Sequence, residues 1–262
     1  MINDYSLSFN QDEKAATQAV DGMTVLAYRP KAGTASRFVF ESVIDGICRM
    51  AWEQLDSDDV MRVAKAYYYF SIQFRENLEI ARALRPDDAK LAELWEGECD
   101  TDNLSPWPDV AAVGERMNHD EFMRRLLDFH AAGRDERLTE AGRDYLERTR
   151  QIGDAARAAS IASYEDGGLS RVFSAMLRAP HWNGKVQRAF RFFLEQHIRF
   201  DSDDGTGHGS LSRHLPVDDR ILPLWIAFRD LLTRAVPKLA TVAAVTRRAP
   251  RQPVLRPQLR LV

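Results

Sequence analysis

The chain has 262 residues, of which 45% are hydrophobic and 29% are charged, and its formal net charge is −3. This length allows one large domain with a hydrophobic core, or at most two small ones, and the near-neutral charge excludes a general attraction to nucleic acid or anionic membranes. The two cysteines, Cys48 and Cys99, are far apart and have no CxxC spacing, which excludes a disulfide framework and a zinc-ribbon site.

Residues 1–35 are predicted to form a loose polar arm. They contain neither the basic region nor the apolar region of a signal peptide. No window of the chain approaches the roughly 18 apolar residues of a membrane span. We therefore expect a soluble, cytoplasmic protein without a membrane or a nucleic acid as partner.

From Ser36 onward the spacing of apolar residues predicts helices almost throughout. The segment SRFVFESVIDGICRMAWEQL repeats apolar residues three and four apart, as an amphipathic helix does. A helix of about 28 residues is predicted in the segment that opens with SDD at Ser57, as a Ser/Asp cap with acids in the first turn, and that stops before Pro86. Two further helices are predicted in DDAKLAELWEGE and in HDEFMRRLLDFHAAG, with a break that contains proline and glycine between them.

The second half continues the helical pattern. LTEAGRDYLERTRQIGDAARAASIASYED is predicted as one long amphipathic segment that runs into GGLSRVFSAMLRA and stops at Pro180. KVQRAFRFFLEQHIRFD follows, and a last helix after Pro216 is predicted to break near Pro237. These patterns predict an all-α domain of about seven or eight helices over residues 36–240. Residues 241–262 are basic and rich in proline, which predicts an extended or disordered tail.

Residues 197–208, with the sequence HIRFDSDDGTGH, place three aspartates and two histidines within twelve positions. A calcium loop that begins at Asp201 is excluded, because its fifth and twelfth positions are Gly205 and Ser212 instead of an oxygen-bearing side chain and a glutamate. A phosphate-binding glycine loop is excluded as well, because a helix and not a strand is predicted before it.

Helix geometry favours a transition-metal interpretation of this stretch. His197 and Asp201 are four residues apart and lie on one helix face, and the DDGTG turn could fold His208 back towards them. Mixed imidazole and carboxylate ligands suit iron, manganese or zinc better than calcium. A helix end with solvated aspartates and a surface histidine would have the same pattern, so both interpretations stay open at this point.

Other predicted helices carry acids and histidines near their ends. Glu165 lies on a helix face that is otherwise small and apolar, where an unpaired carboxylate is costly to bury. His119 begins one predicted helix, and Glu98 ends another, with Asp102 nearby. Each residue alone is explained as a helix cap or a surface group, and only their order along the helices indicates a shared site.

That order resembles the heme-oxygenase-like diiron oxidase and oxygenase superfamily. The resemblance covers roughly residues 60–235 and rests on the motifs NHDEFMRRLL, IASYEDGGLSRVF and RFFLEQHIRFDSDDGTGHGSLSRHL. It implies a heme-oxygenase-like helical bundle with a metal site. The implied metal ligands are Glu98, His119, Glu165, His197, Asp201 and His208.

Two features depart from the family pattern. The first glutamate of the family sits about two helical turns before the first histidine, and Ala112 holds that position here. Glu98 is the preferred substitute, with Asp102 and Glu115 as rivals. The inserted DGTG also displaces the last histidine, so Asp204 is a rival for the last ligand position.

The resemblance implies a non-heme diiron enzyme. Two Fe(II) ions, the second held weakly, would activate O₂ to oxidise a small amino-acid-like, amine or fatty-acid substrate by N-oxygenation, oxidative C–C cleavage or desaturation. A homodimer is compatible with the family. Two alternatives stay open: a metal-free, thiaminase-like hydrolase or ligand-binding protein of the same fold, with Cys99 as a nucleophile in the hydrolase, and a helical protein that binds a partner through its basic tail.

The sequence also offers residues that could contact a substrate. Arg75, Arg171 or Arg188 could bind a substrate carboxylate, although a solvated surface position is the commoner role of an arginine. The run AYYYF at residues 66–70 could line a pocket or take part in oxidation, but core packing is the commoner role of such aromatic residues.

Overall fold

The computed structural model describes residues 38–129, 135–202 and 207–240. Over these ranges the chain is all-helical, as predicted, and it contains no β-strand. No helix within the same ranges combines the length and the hydropathy that a transmembrane segment requires. The predicted N-terminal arm and the predicted basic tail lie outside the described residues.

Helices make up most of the described chain, with one long connection between the third and the fourth. Their bounds are α1 Val39–Cys48, α2 Ser57–Leu84, α3 Ala89–Cys99, α4 His119–Asp128, α5 Glu136–Arg150, α6 Asp154–Ser163, α7 Leu169–Met176, α8 Lys185–Ser202, α9 His208–Ser212 and α10 Leu222–Ala235. A five-residue π-helical segment, Tyr164–Gly168, joins α6 to α7.

Helix α2 is the centre of the bundle. It begins at a capping box: the Asp56 carboxylate accepts hydrogen bonds from the backbone N–H groups of Asp58 and Asp59, and the Asp59 carboxylate accepts the N–H of Asp56. Its 28 residues span about 42 Å at the usual helical rise. It packs against α3, α4, α5, α6, α8 and α10, which is the central position predicted from its length and its several apolar faces.

Aromatic side chains fill the space between α2, α7 and α8. The ring centroid of Tyr67 lies 5.4 Å from those of Phe70, Phe173 and Phe193 and 5.7 Å from that of Phe190. All five side chains are buried. Core packing is therefore one role of the AYYYF run, and Tyr67 also borders the site described below.

The bundle contains more helices than the seven or eight predicted. Gly153 takes extended backbone angles, φ −61° and ψ 144°, and divides the segment predicted as one helix into α5 and α6. The first predicted helix ends at Cys48, and a single 3₁₀ turn, Trp52–Gln54, follows it. A short helix also begins at His208, directly after the predicted DDGTG turn, and had not been predicted. Apolar periodicity continues across such breaks, so the pattern alone did not reveal them.

The π-helical segment Tyr164–Gly168 carries Glu165, one of the metal ligands that the family resemblance implies. Gly167 has a φ of 93°, a conformation that favours glycine. Gly168 is required for a different reason, because a Cβ atom there would lie 2.0 Å from the carbonyl oxygen of Ser163. Since π-turns interrupt the helical register, this segment decides the direction in which Glu165 points.

Gly168→Ala is expected to destabilise the fold by about 1–3 kcal/mol, because the added methyl group collides with a backbone oxygen. Gly46→Ala in α1 is the matched control: nothing lies within 4 Å of a Cβ atom there. Alanine suits a helix better than glycine by roughly 0.5–1 kcal/mol, so this variant should be at least as stable as the parent. Urea unfolding followed by circular dichroism measures both changes, and a Gly168→Ala protein as stable as the control would contradict the tight π-turn.

Candidate metal site

Three histidines and three carboxylates meet in the interior of the bundle. They are Glu98 at the end of α3, His119 at the start of α4, Glu165 in the π-helical segment, His197 and Asp201 on α8, and His208 at the start of α9. None of the six side chains is more than 10% exposed to solvent. The structure thus brings together the six residues that the family resemblance indicated.

The Glu98 carboxylate lies between two imidazoles. Its Oε2 atom is 2.6 Å from Nδ1 of His119, and its Oε1 atom is 2.7 Å from Nδ1 of His208. The second pair is close enough for a hydrogen bond but lacks the angles of one. Glu98 therefore joins two groups of possible metal ligands, one with His119 and His197 and the other with Glu165 and His208.

Hydrogen bonds on the outer side of the imidazoles orient His119 and His197. Nε2 of His119 lies 3.0 Å from Oδ1 of Asn103, and Nδ1 of His197 lies 2.8 Å from the carbonyl oxygen of Phe193. The Asn103 amide group donates to the carbonyl of Gly97, which directs its oxygen towards the histidine. Both acceptors favour a proton on the nitrogen that faces them, so Nδ1 of His119 and Nε2 of His197, 3.0 Å apart, are the nitrogens that would bind a metal ion.

Glu165, Asp201 and His208 form the second group around Glu98. Nδ1 of His208 lies 3.4 Å from Oε2 of Glu165 and 3.8 Å from Oδ1 of Asp201. The other oxygen of Asp201 accepts a hydrogen bond of 2.8 Å from the Ser170 hydroxyl group. One oxygen of Asp201 is thus anchored to the protein and the other faces the imidazole.

Four polar atoms of the cluster are buried and form no hydrogen bond of good geometry among the described residues, although Oε1 of Glu98 and Nδ1 of His208 face each other as an ion pair. The four atoms are Oε1 of Glu98, Oε2 of Glu165, Oδ1 of Asp201 and Nδ1 of His208. Buried polar atoms are nearly always paired, and an unpaired one costs about 1–3 kcal/mol. A cation between the three oxygens and the nitrogen would be a partner for all four. Imidazole nitrogens and carboxylate oxygens are ligands of divalent transition metals, so this buried cluster could hold a metal ion.

Burial and neighbouring charges shift the pKa values of the histidines in opposite directions. Burial lowers the pKa of His197 to about 3, and the adjacent His119 adds to this effect. Burial also acts to lower the pKa of His208, but the carboxylates of Glu98 and Glu165 outweigh it and hold that pKa well above its usual range. His197 is therefore neutral at pH 7, whereas His208 retains a proton when no metal is bound.

The pKa values of the carboxylates also diverge. Burial acts to raise the pKa of Glu98, but His119 and His208 outweigh it and hold that pKa well below its usual range. Burial is the main cause that raises the pKa of Glu165 and brings the pKa of Asp201 well above its usual range. Glu98 is thus the charged centre of the cluster, and the other two acids hold their protons more tightly.

The rival ligands lie outside this cluster. Asp102 is exposed. Glu115 forms an ion pair of 2.6 Å with Arg125 and accepts the backbone N–H of Ala112, so its carboxylate is engaged elsewhere. Asp204 lies outside the described residues.

Sequence reasoning missed the groups that support the ligands. Asn103 lies in the irregular α3–α4 connection, where the spacing of apolar residues predicts nothing about its role. The one indication in the sequence is that a metal-binding histidine needs a hydrogen-bond acceptor for its second nitrogen. Backbone hydrogen bonds between Thr101 and Met117 close this connection and bring the end of α3 to the start of α4. A Cβ atom on Gly97 would lie 3.0 Å from Nε2 of His208, so this glycine allows the imidazole to approach α3 closely.

A narrow cavity leads to the cluster. Its free volume is about 20 Å³, room for about one water molecule, and its walls include Glu98, His119, Glu165 and His197. Cys99 also lines the cavity, and burial raises the pKa of its thiol. This cysteine is therefore a neutral thiol and not an activated nucleophile.

Among the three arginines considered for a substrate carboxylate, Arg75 alone lines this cavity. Arg171 pairs with two carboxylates of α1, and Arg188 donates to a backbone carbonyl close to the start of α8. The structure therefore separates one arginine beside the cluster from two with structural contacts.

Comparison with known proteins identifies no relative: no protein-family model, no curated protein and no solved structure matches this chain. The function is therefore inferred from the geometry of the cluster and from the motifs along the chain.

Asn103→Ala is expected to weaken metal binding about 10- to 100-fold, because it removes the acceptor that orients His119. Asn103→Asp retains an acceptor at this position and should retain most of the affinity. Asn183→Ala, at an exposed position, is the control. Titration with Co(II), followed by visible absorption, measures the three affinities; equal affinity for Asn103→Ala and the control would contradict the orienting role.

Metal binding is expected to release protons near pH 7, and its apparent affinity is expected to rise with pH. The reason is that the carboxylates of Glu98 and Glu165 hold the pKa of His208 well above its usual range in the metal-free protein, so its proton must leave before this imidazole acts as a ligand. His197 is already neutral and contributes none. Isothermal titration calorimetry in two buffers with different ionisation enthalpies measures the release. Identical heats in both buffers would contradict this assignment of protons.

Proposed function

We propose that this protein is a non-heme diiron enzyme that uses dioxygen to oxidise a small organic substrate, on a helical bundle of the heme-oxygenase-like type. The observation that carries the proposal is the buried cluster in which Glu98 joins two groups of nitrogen and oxygen ligands. The order of the motifs, which resembles that of the heme-oxygenase-like diiron superfamily, supports the same assignment.

Two metal ions suit the cluster better than one. The first group of ligands consists of His119, His197 and Oε2 of Glu98, and the second consists of His208, Glu165 and Oε1 of Glu98. Because the two oxygens of Glu98 face different imidazoles, this one carboxylate would contribute to both groups of ligands. Protons compete for the second group, since the pKa of His208 is raised, which favours weaker metal binding there.

The donor types suit iron, and the order of the motifs favours it over catalytic zinc, which also binds two imidazoles and one carboxylate. Two imidazoles and one carboxylate, as in the group of His119, His197 and Glu98, are the ligand set of many non-heme Fe(II) oxygenases and leave coordination positions for dioxygen and substrate. The second group adds the carboxylate of Asp201, which lies beside His208. A structural zinc site would instead have a closed set of four ligands.

The chain itself orients the reactants and excludes water. When bound, the two ferrous ions would supply the electrons for dioxygen activation. The Phe193 ring stacks on His197 at 4.0 Å, and Phe173 meets the same imidazole edge-on at 5.8 Å, so an apolar wall covers the ligands. Burial raises the pKa of Tyr67 well above its usual range, so its phenol stays protonated and can donate a hydrogen bond into the cavity that it lines.

The metal-free alternatives have less support. A thiaminase-like hydrolase needs an activated nucleophile, and burial keeps Cys99 in its unreactive thiol form. A protein that only binds a ligand would leave the four unpaired polar atoms of the cluster without a role. A partner-binding role of the basic tail concerns residues outside the described ranges.

Anaerobic loading with Fe(II), followed by metal analysis, tests the proposal. We expect about two iron ions per chain in the parent protein and at most one in His197→Ala or in His208→Ala, because each variant removes a ligand from a different group. Addition of O₂ to the loaded parent should produce a visible absorption band and consume oxygen. His181→Ala, at an exposed histidine, should behave like the parent. Trace iron in the parent, or equal iron in His197→Ala and His181→Ala, would rule out the diiron site.

A further inference from the structure

The cavity that leads to the cluster opens to solvent beside one ion pair. Ten of its twelve lining residues are buried, and the two that reach solvent are Arg75 and Asp120, with side chains 28% and 13% exposed. Arg75 belongs to α2, and Asp120 directly follows the ligand His119 in α4. A ligand that enters the cavity must pass these two side chains. Because the cavity admits about one water molecule in the observed arrangement, a larger ligand would enter only if the Arg75 side chain moved outward.

One carboxylate oxygen of this ion pair has no hydrogen-bond partner among the described residues. Nε of Arg75 donates to Oδ2 of Asp120 at 3.1 Å, and Nη1 of Arg75 donates to Glu79, one turn along α2, at 2.7 Å. The other oxygen of Asp120, Oδ1, is buried and has no hydrogen-bond partner among the described residues. A buried carboxylate oxygen of this kind needs a donor, and a ligand in the adjoining cavity can supply one.

We propose that the Arg75–Asp120 pair binds the head group of an α-amino acid. The ammonium group of the ligand donates to Oδ1 of Asp120, and its carboxylate accepts from the guanidinium group of Arg75. Phe74, Leu169 and Phe193 supply apolar wall to the same cavity, which suits an apolar side chain. This inference rests on the proposed function for the chemistry at the metal ligands, and it narrows the substrate class to amino acids.

Ion-pair exchange favours an amino acid over a fatty acid or a simple amine. A zwitterion adds an ammonium partner for Asp120 and a carboxylate partner for Arg75, so neither protein charge loses a partner of opposite sign. A fatty acid would draw Arg75 away and leave the mostly buried Asp120 carboxylate unpaired, which is strongly unfavourable. An amine would satisfy Oδ1 of Asp120 but would add no partner for the guanidinium group. The expected order of affinity is therefore amino acid, then amine, then carboxylic acid.

Ligand binding to the full-length protein, both metal-free and anaerobically loaded with Fe(II), tests this site. The twenty L-amino acids are screened by thermal shift, and the strongest binder is compared by calorimetry with its decarboxylated amine and its deaminated acid. We expect an apolar amino acid to bind at least about tenfold more tightly than either analogue, as loss of one charged hydrogen bond implies. The proposal is overturned if no amino acid binds, or if the amine or the acid binds as tightly.

Substitutions of Arg75 and Asp120 test the proposed site independently. Arg75→Gln should lower amino-acid affinity at least about tenfold but leave amine affinity nearly unchanged, whereas Asp120→Asn should lower both. Arg171→Gln is the matched control, because Arg171 is also half-buried between two carboxylates but lies away from the cavity. Equal effects of Arg75→Gln and Arg171→Gln would overturn the proposal.

Metal analysis of each variant separates this proposal from the diiron proposal. Unchanged iron content with lost amino-acid binding supports the head-group site. Amino-acid binding in a parent protein that takes up no iron would leave the head-group site standing and would refute the diiron enzyme. Normal iron uptake without amino-acid binding would refute the head-group site and leave the diiron proposal standing.

Discussion

The buried carboxylate of Glu98 is the constraint on which the rest of the site depends. A charge in the interior is stable only if neighbours compensate it, and here His119 and His208 do so from opposite sides. These imidazoles are the first residues of α4 and α9, so two helix starts and the end of α3 must converge at one point. The helix order, the folded α3–α4 connection and the close approach at Gly97 all serve this convergence.

Most of the candidate metal ligands lie in the irregular parts of the bundle. Of the six residues, only His197 and Asp201 are placed by a regular helical turn, one turn apart on α8. The other ligands occupy helix ends or the π-helical segment, where the chain can aim a side chain in a direction that a continuous helix does not allow. Glycine occupies the positions in these irregular parts where a side chain would collide with its neighbours.

The first turn of α4 connects the cluster with the mouth of the cavity. His119 contributes to the cluster, and the next residue, Asp120, forms half of the ion pair at the mouth. Both lie at a helix N-terminus, where backbone N–H groups favour a carboxylate. In the proposed sites, a ligand held by Asp120 would lie one residue along the chain from a metal-binding histidine, which would couple the position of the substrate to that of the metal.

By itself the sequence determined the helical class, the start of α2 at Ser57, the shared helix face of His197 and Asp201, and, through its resemblance to a family, the six residues that meet. It did not determine the break at Gly153, the support of His119 by Asn103, or the Arg75–Asp120 pair. Periodicity and capping depend on neighbours within a turn or two along the chain, and so they can be read locally. Contacts such as that between His119 and His197, 78 positions apart, exist only after the helices have packed, so the tertiary structure alone decided them.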